Sequence, residues 1–178
     1  MPIVTQLDAA HRQLTTAIEL WIDDSDPVPI HTLAFAAYQL IHDINRQRKG
    51  QPLLLDSPLI KPERRQEFVN MAKGDANFFK HADDRGKKKN ALTSIDFNPS
   101  VNESYFEFAI IGLKGMGEHL TPHEIAFDAW SGIRRPELLT DAGLNLLQNG
   151  IQADALDRLR LLPKKQFFER ILKVIVSH

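Results

Sequence analysis

Seven histidines and no cysteine stand in a chain of 178 residues. Disulfides, thiolate nucleophiles and Cys-ligated zinc or iron–sulfur centres are thereby excluded together. Any acid–base or metal chemistry falls to imidazoles and carboxylates. The densest set of such groups lies between Asp75 and Asp84. On a helix over Ala76–Ala82, Asn77 and His81 come one turn apart on one face, and Phe78 and Phe79 anchor the segment. Asn77, Lys80 and His81 then offer an amide, a cation and a titratable imidazole, suited to anion binding or proton transfer. The same side chains could equally cap the carbonyls of a neighbouring loop.

Two further clusters compete with this one. His31, Tyr38 and His42 share one helix face, since steps of seven and eleven residues return to nearly the same angle. His31 and His42 stand about 16 Å apart along the axis, too far to share a metal. Tyr38 and His42 can touch at i and i+4. They form a polar seam that either binds a ligand or hydrogen-bonds neighbouring helices. His119 and His123 bracket a tight turn with Glu118 and Glu124, a weak candidate set for zinc, iron or manganese. The bland reading is a helix-end and a first-turn histidine, so no metal site is assigned and no cofactor is named.

Motifs with sharper signatures do not occur. There is no G-x-G-x-x-G, no P-loop, no H-E-x-x-H, no E-x-x-H and no G-x-S-x-G. Gly112 to Gly117 imitates a glycine loop, but no strand precedes it. Glycines there permit close packing, and Gly117 can end a helix.

Helical periodicity must position these residues. Thr5 and Asp8 cap a first helix with the stripe Leu7, Ala10, Leu14, Ala17/Ile18 and Trp21. Three acids and two prolines over 23–29 stop it. A second helix is expected from Ile30 to Gln47, with Leu33, Ala34/Ala37, Leu40/Ile41 and Ile44 inward and Gly50 beyond its end. Residues 49–61 form a loop with a small apolar plug. Pro62–Lys73 reads as a third helix with Phe68 and Met71/Ala72 inward, ended by Gly74, and Asp75 as the cap of a separate short helix. Residues 92–97 suit a short extended arm, although a lone strand has no partner.

Ser100 and Glu103 read as a capping box for a helix over 101–116 that is apolar nearly all round. Thr121 and Glu124 read as another, with Pro122 at the first helical position. Ile125, Phe127 or Ala129, Trp130 and Ile133 face inward there. Pro136, Gly143, Gly150 and Pro163 divide the rest into three short helices, the last burying Phe167, Phe168, Ile171, Leu172 and Val174/Ile175. The expected fold is all-α, a single-domain bundle over 1–178 of about seven or eight helices.

Two words of the sequence resemble a known pattern. Asp26–Ala34 (DPVPIHTLA) and Asn77–Asp83 (NFFKHAD) resemble an uncharacterised bacterial family of small helical proteins, over residues 5–130. The resemblance singles out His31, Asn77, Lys80 and His81 and implies no activity. The chain is more weakly similar to HEPN-type helical domains, which often dimerise and cleave RNA with an Arg four to six residues before a His. Ala76 stands where that Arg belongs before His81. The likeness therefore implies a binding or regulatory member without the ribonuclease centre.

Arg85, Lys87, Lys88 and Lys89 form a basic run. Net charge is −1, and no aromatics interleave with the lysines, so the run reads first as a solvated loop and second as a nucleic-acid contact. No apolar run reaches the roughly 18 residues of a membrane span. Nor does the N-terminus read as a secretory signal. The expectation is a cytoplasmic protein that binds a small molecule or protein partner near His31 and His81. Its apolar 101–116 helix points to a homodimer. A metal- or histidine-dependent hydrolase or nuclease is the alternative.

Overall fold

The structure, a computed structural model, describes residues 3–58, 60–80 and 94–177, and omits the side chains of 138, 146, 147, 150 and 153. Thr5 starts the first helix as its spacing predicts. Its Oγ1 accepts from Asp8 N at 3.0 Å, and the Asp8 carboxylate accepts from Thr5 N at 3.0 Å. Helix α1 (Gln6–Ile22) buries Ala10, Leu14, Ala17, Ile18 and Ile22. It ends with Asp24 in the left-handed region, φ 53°.

Helix α2 (Pro27–Gln47) begins three residues before the expected Ile30. Asp26 caps it, accepting from Val28 N at 2.9 Å. Pro27 occupies the first helical position, where a missing N–H leaves nothing unpaired. The prolines thus open this helix as well as closing the one before. At its other end Lys49 adopts φ 56°, and Gly50 N donates to Asn45 O at 2.9 Å. That closes the last turn with lysine in a conformation glycine usually takes. α2 packs chiefly against α1 and α4 (Val101–Gly115) and is buried on most of its circumference.

Two 3-10 turns, Leu54–Asp56 and Pro62–Arg64, carry the chain to α3 (Arg65–Lys80). Gly74 and Asp75 do not divide it, contrary to the sequence expectation. Phe68, Ala72, Ala76 and Phe79 continue one stripe straight through them, and Tyr105 Oη anchors the stripe by donating to Ala72 O at 2.6 Å. A stripe continuous across the glycine outweighs its roughly 1 kcal/mol propensity penalty. Met71 lies off this stripe and points to solvent rather than inward.

The Ser100 capping box is also absent. Ser100 has helical backbone angles, and its N and Oγ both donate to Asn98 Oδ1. Glu103 is drawn instead toward Arg135, 3.7 Å away. α4 buries Tyr105, Phe106, Ala109, Ile110, Gly112 and Leu113 within the chain, leaving Ile111 as its one large exposed apolar side chain. The apolar surplus behind the dimer expectation is therefore largely covered by the chain's own helices.

α5 (Pro122–Arg134) starts at the Thr121/Glu124 capping box. Ala126 and Phe127 take the inward positions, and Ile125 is exposed. A 3-10 turn (Pro136–Leu138) precedes α6 (Asp141–Gly150), α7 (Ala153–Leu161) and α8 (Lys164–Val176). Gly143 does not separate helices. Its N–H donates to the capping Thr140 Oγ1 in the first turn of α6. α8 buries Phe167 and Phe168, whereas Val174 faces solvent. Trp21 joins α1 to this half, edge-on to Phe106, Phe127, Trp130 and Phe168 at 4.9–6.1 Å.

Eight α-helices and no strand occur among the described residues, so the all-α reading holds and 94–98 forms no β-pairing. No described helix is long and apolar enough to cross a membrane. Three helical glycines give a contrast test. A Cβ at Gly112 would lie 2.6 Å from Ile41 Cγ2 and 2.9 Å from Leu53 Cδ1, whereas one at Gly74 or Gly115 meets nothing within 4 Å. Gly74→Ala and Gly115→Ala are each expected to stabilise by roughly 0.5–1 kcal/mol. Gly112→Ala is expected to destabilise by about 1–2 kcal/mol, because overpacking exceeds the propensity gain. Urea denaturation of the three variants checks both signs.

Candidate functional site

His31 stands in the first turns of α2, beneath α3 and beside α4, and is fully buried. Its Nδ1 lies 2.8 Å from Asn102 Oδ1. Asn102 Nδ2 donates to Pro27 O at 3.1 Å, which leaves Oδ1 as the acceptor toward the ring. Nδ1 must therefore carry a proton, and in the neutral ring Nε2 holds a lone pair. That Nε2 is buried and has no hydrogen-bond partner among the described residues.

Aromatic rings complete the corner. Phe35 stacks on His31 with planes 12° apart, and Phe79, Phe97 and Tyr105 meet it edge-on at 5.1–5.6 Å. Burial pushes the His31 imidazole below its usual range, the Asn102 hydrogen bond and the Asp75 charge oppose that, and Lys80 reinforces it. Burial also pushes Tyr105 up to about 12, with Asp75 adding to the effect. Lys80 Nζ lies 5.4 Å from the centroid of the Phe35 ring.

A pH dependence follows. Below the ordinary value of 6.5 an unfolded chain protonates at this position while the folded chain resists. Stability is expected to fall as pH drops through 6.5, with no contribution from His31 above it. His31→Gln should flatten that part of the profile. Denaturation of both proteins from about pH 8 to about pH 5 isolates the effect as the difference between two curves. Parallel curves would show that His31 is not its source.

Tyr38 and His42 are also buried, but they serve other contacts. Tyr38 Oη accepts from Leu55 N at 3.2 Å, and burial holds its hydroxyl up to about 12. His42 Nε2 sits 2.7 Å from Asp56 Oδ2, a close contact too poorly aligned for a hydrogen bond. Its Nδ1 lies 3.3 Å from Asp43 Oδ1. Together they fasten the Leu54–Asp56 turn to α2. Tyr105 bridges the two ends of the seam, 5.5 Å from His31 and 5.8 Å from Tyr38, ring to ring.

Asn77 and Lys80 are exposed on α3. His81, Arg85, Lys87, Lys88 and Lys89 lie outside the described residues, and with them the expected approach of His81 to His31. Ala76, one turn before the end of α3, is fully buried. The His119/His123 turn does not gather into a centre. His119 is exposed, and His123 Nε2 lies 3.6 Å from Glu19 Oε1. No group of three His, Asp or Glu side chains suited to a metal occurs among the described residues.

Two polar clusters escaped the sequence reading. His11 Nδ1 meets both oxygens of the fully buried Glu124 at 2.9 and 3.0 Å. Arg135 joins Glu103 and Glu107 of α4, and Ser131 Oγ donates to Glu107. Asn102 was missed as well. Nothing local marks it, because both its partners lie more than 70 residues away. Comparison with known proteins adds no relative: no family model, curated protein or solved structure matches this chain.

Proposed function

We propose that this chain is a binding protein whose small-molecule or protein partner engages the corner formed by His31, Asp75 and Lys80 between α2, α3 and α4. One observation carries the reading. His31 is locked by Asn102 into a single tautomer, and its Nε2 lone pair has no partner among the described residues. An unpaired buried polar atom costs about 1–3 kcal/mol. A ligand or partner that donates a hydrogen bond to Nε2 would recover that cost.

A small-molecule library screened by NMR tests this. Hits should move the signals of Phe35, Phe79, Phe97 and the Asn102 side-chain amide, and should weaken in His31→Gln. Hits that all map elsewhere would sink the corner as a binding site.

The HEPN likeness leads to a second expectation. A cation beside the histidine stabilises charge on a scissile phosphate, and the position it would occupy here is the buried Ala76. The protein is expected to show no metal-independent ribonuclease activity. Any RNA binding, through Arg85 to Lys89, should be weak and lost with added salt. Cleavage of single-stranded RNA in the presence of chelator, abolished by His81→Ala, would overturn this.

A further inference from the structure

Helix α8 carries two adjacent rows of side chains on one outer face. Leu172 and Val176, a turn apart, form one row, and Glu169 and Lys173 form the other beside it. Together with Ser177 they line a depression of about 450 Å³. Leu172 is half-buried against the core, while Val176 is 74% exposed. The first two lysines of α8 are already engaged just beyond α1, Lys164 with Asp24 and Lys165 with Asp23. Glu169 and Lys173 form no ion pair among the described residues.

We infer that this face of α8 pairs with the same face of a second copy of the chain, the two helices antiparallel about a two-fold axis. The arrangement of charge selects both the occupant and the direction. In an isologous contact, residue i meets j and j meets i. Position 171 is the midpoint of Glu169 and Lys173, so a two-fold axis there sets Glu169 of each copy against the partner's Lys173. Leu172, one residue from that axis, meets the partner's Leu172, and a Val176 flanks this apolar centre on each side. A parallel pair would bring like charges level with each other, which opposes association. An anionic lipid surface would favour cations throughout, and Glu169 lies within the face.

α8 spans 13 residues, so one face per copy buries less than the roughly 1,200–2,000 Å² of a standard interface. A dissociation constant on the order of 100 μM is expected, and sedimentation velocity from about 10 μM to about 1 mM reads it. Glu169→Lys and Lys173→Glu, both at exposed positions, each turn the two attractive pairs into like-charge pairs. Each should weaken the dimer about tenfold or more. The double variant Glu169→Lys/Lys173→Glu keeps the pairs with their signs exchanged, and should dimerise like the parent. An equimolar mixture of the two single variants should form a heterodimer tighter than either homodimer. Far-UV circular dichroism checks that each variant keeps its helices.

A parent chain that stays monomeric at about 1 mM would overturn the inference. So would a dimer that both single variants leave unchanged, or a double variant and a mixture that associate no better than the singles. Val174→Lys supplies the control. Val174 is exposed on the other side of α8, and its substitution should leave association intact. Loss of the dimer in that variant would move the contact to another face and refute pairing through Glu169 and Lys173.

Discussion

Glu124→Ala is expected to lower folding stability by about 3–5 kcal/mol, among the largest effects of any single polar truncation in this chain. The Glu124 carboxylate is fully buried and accepts from His11 Nδ1 at 2.9 and 3.0 Å and from Thr121 N at 2.8 Å. Truncation leaves the imidazole and the N–H of the capping Thr121 unpaired, and opens a gap between α1 and α5. Glu124→Gln keeps the shape and one acceptor, and should lose roughly half as much. Thermal unfolding of a chain this size should register Glu124→Ala as a fall in Tm of roughly 10 °C. A loss below about 1 kcal/mol would show that water enters and satisfies both donors.

Asn102→Ala is expected to cost about 2–3 kcal/mol and to alter the pH profile. Asn102 Oδ1 is the partner of His31 Nδ1, and Asn102 Nδ2 donates to Pro27 O in the first turn of α2. Its removal leaves a buried N–H unpaired and takes away a bond that favours the charged imidazole. His31 then becomes still harder to protonate, and stability should fall more steeply as pH drops below 6.5. Asn102→Asp reverses the sign. A buried carboxylate beside Nδ1 favours the protonated ring, so the stability of that pair is present at lower pH and lost as pH rises through the raised value. Denaturation of the two variants across the same pH range separates them. Identical profiles would mean that Asn102 does not control the His31 ring.

Part of the candidate site could be read directly from the chain. His31 lies within the DPVPIHTLA word, and helical spacing places it on one face with Tyr38 and His42. What that face meets could not be read. The residues that define the state of His31, namely Asn102, Asp75, Phe79, Phe97 and Tyr105, come from three separate segments. Their approach depends on helix packing, which periodicity does not specify. Asn77 shows the converse. It belongs to the most distinctive word of the sequence, yet it is exposed on α3.

What the sequence determined by itself is local. Thr5 with Asp8 and Thr121 with Glu124 cap their helices, because a cap needs only a side-chain oxygen three residues from an amide. The apolar stripes of α1 and α8, and hence the all-α class, follow from a 3.6-residue period that each helix satisfies alone. Where local signals competed with packing, tertiary structure decided. Gly74 reads as a stop, but Ala72, Ala76 and Phe79 gain more by continuing one buried stripe than the glycine loses. Ser100 reads as a capping residue, but Asn98 takes both its donors and Arg135 draws Glu103 away. The buried partners of His31 and His11 also belong to the tertiary level. A hydrogen bond between residues 71 or 113 positions apart has no local signature, because only the packed helices bring its two ends within 3 Å.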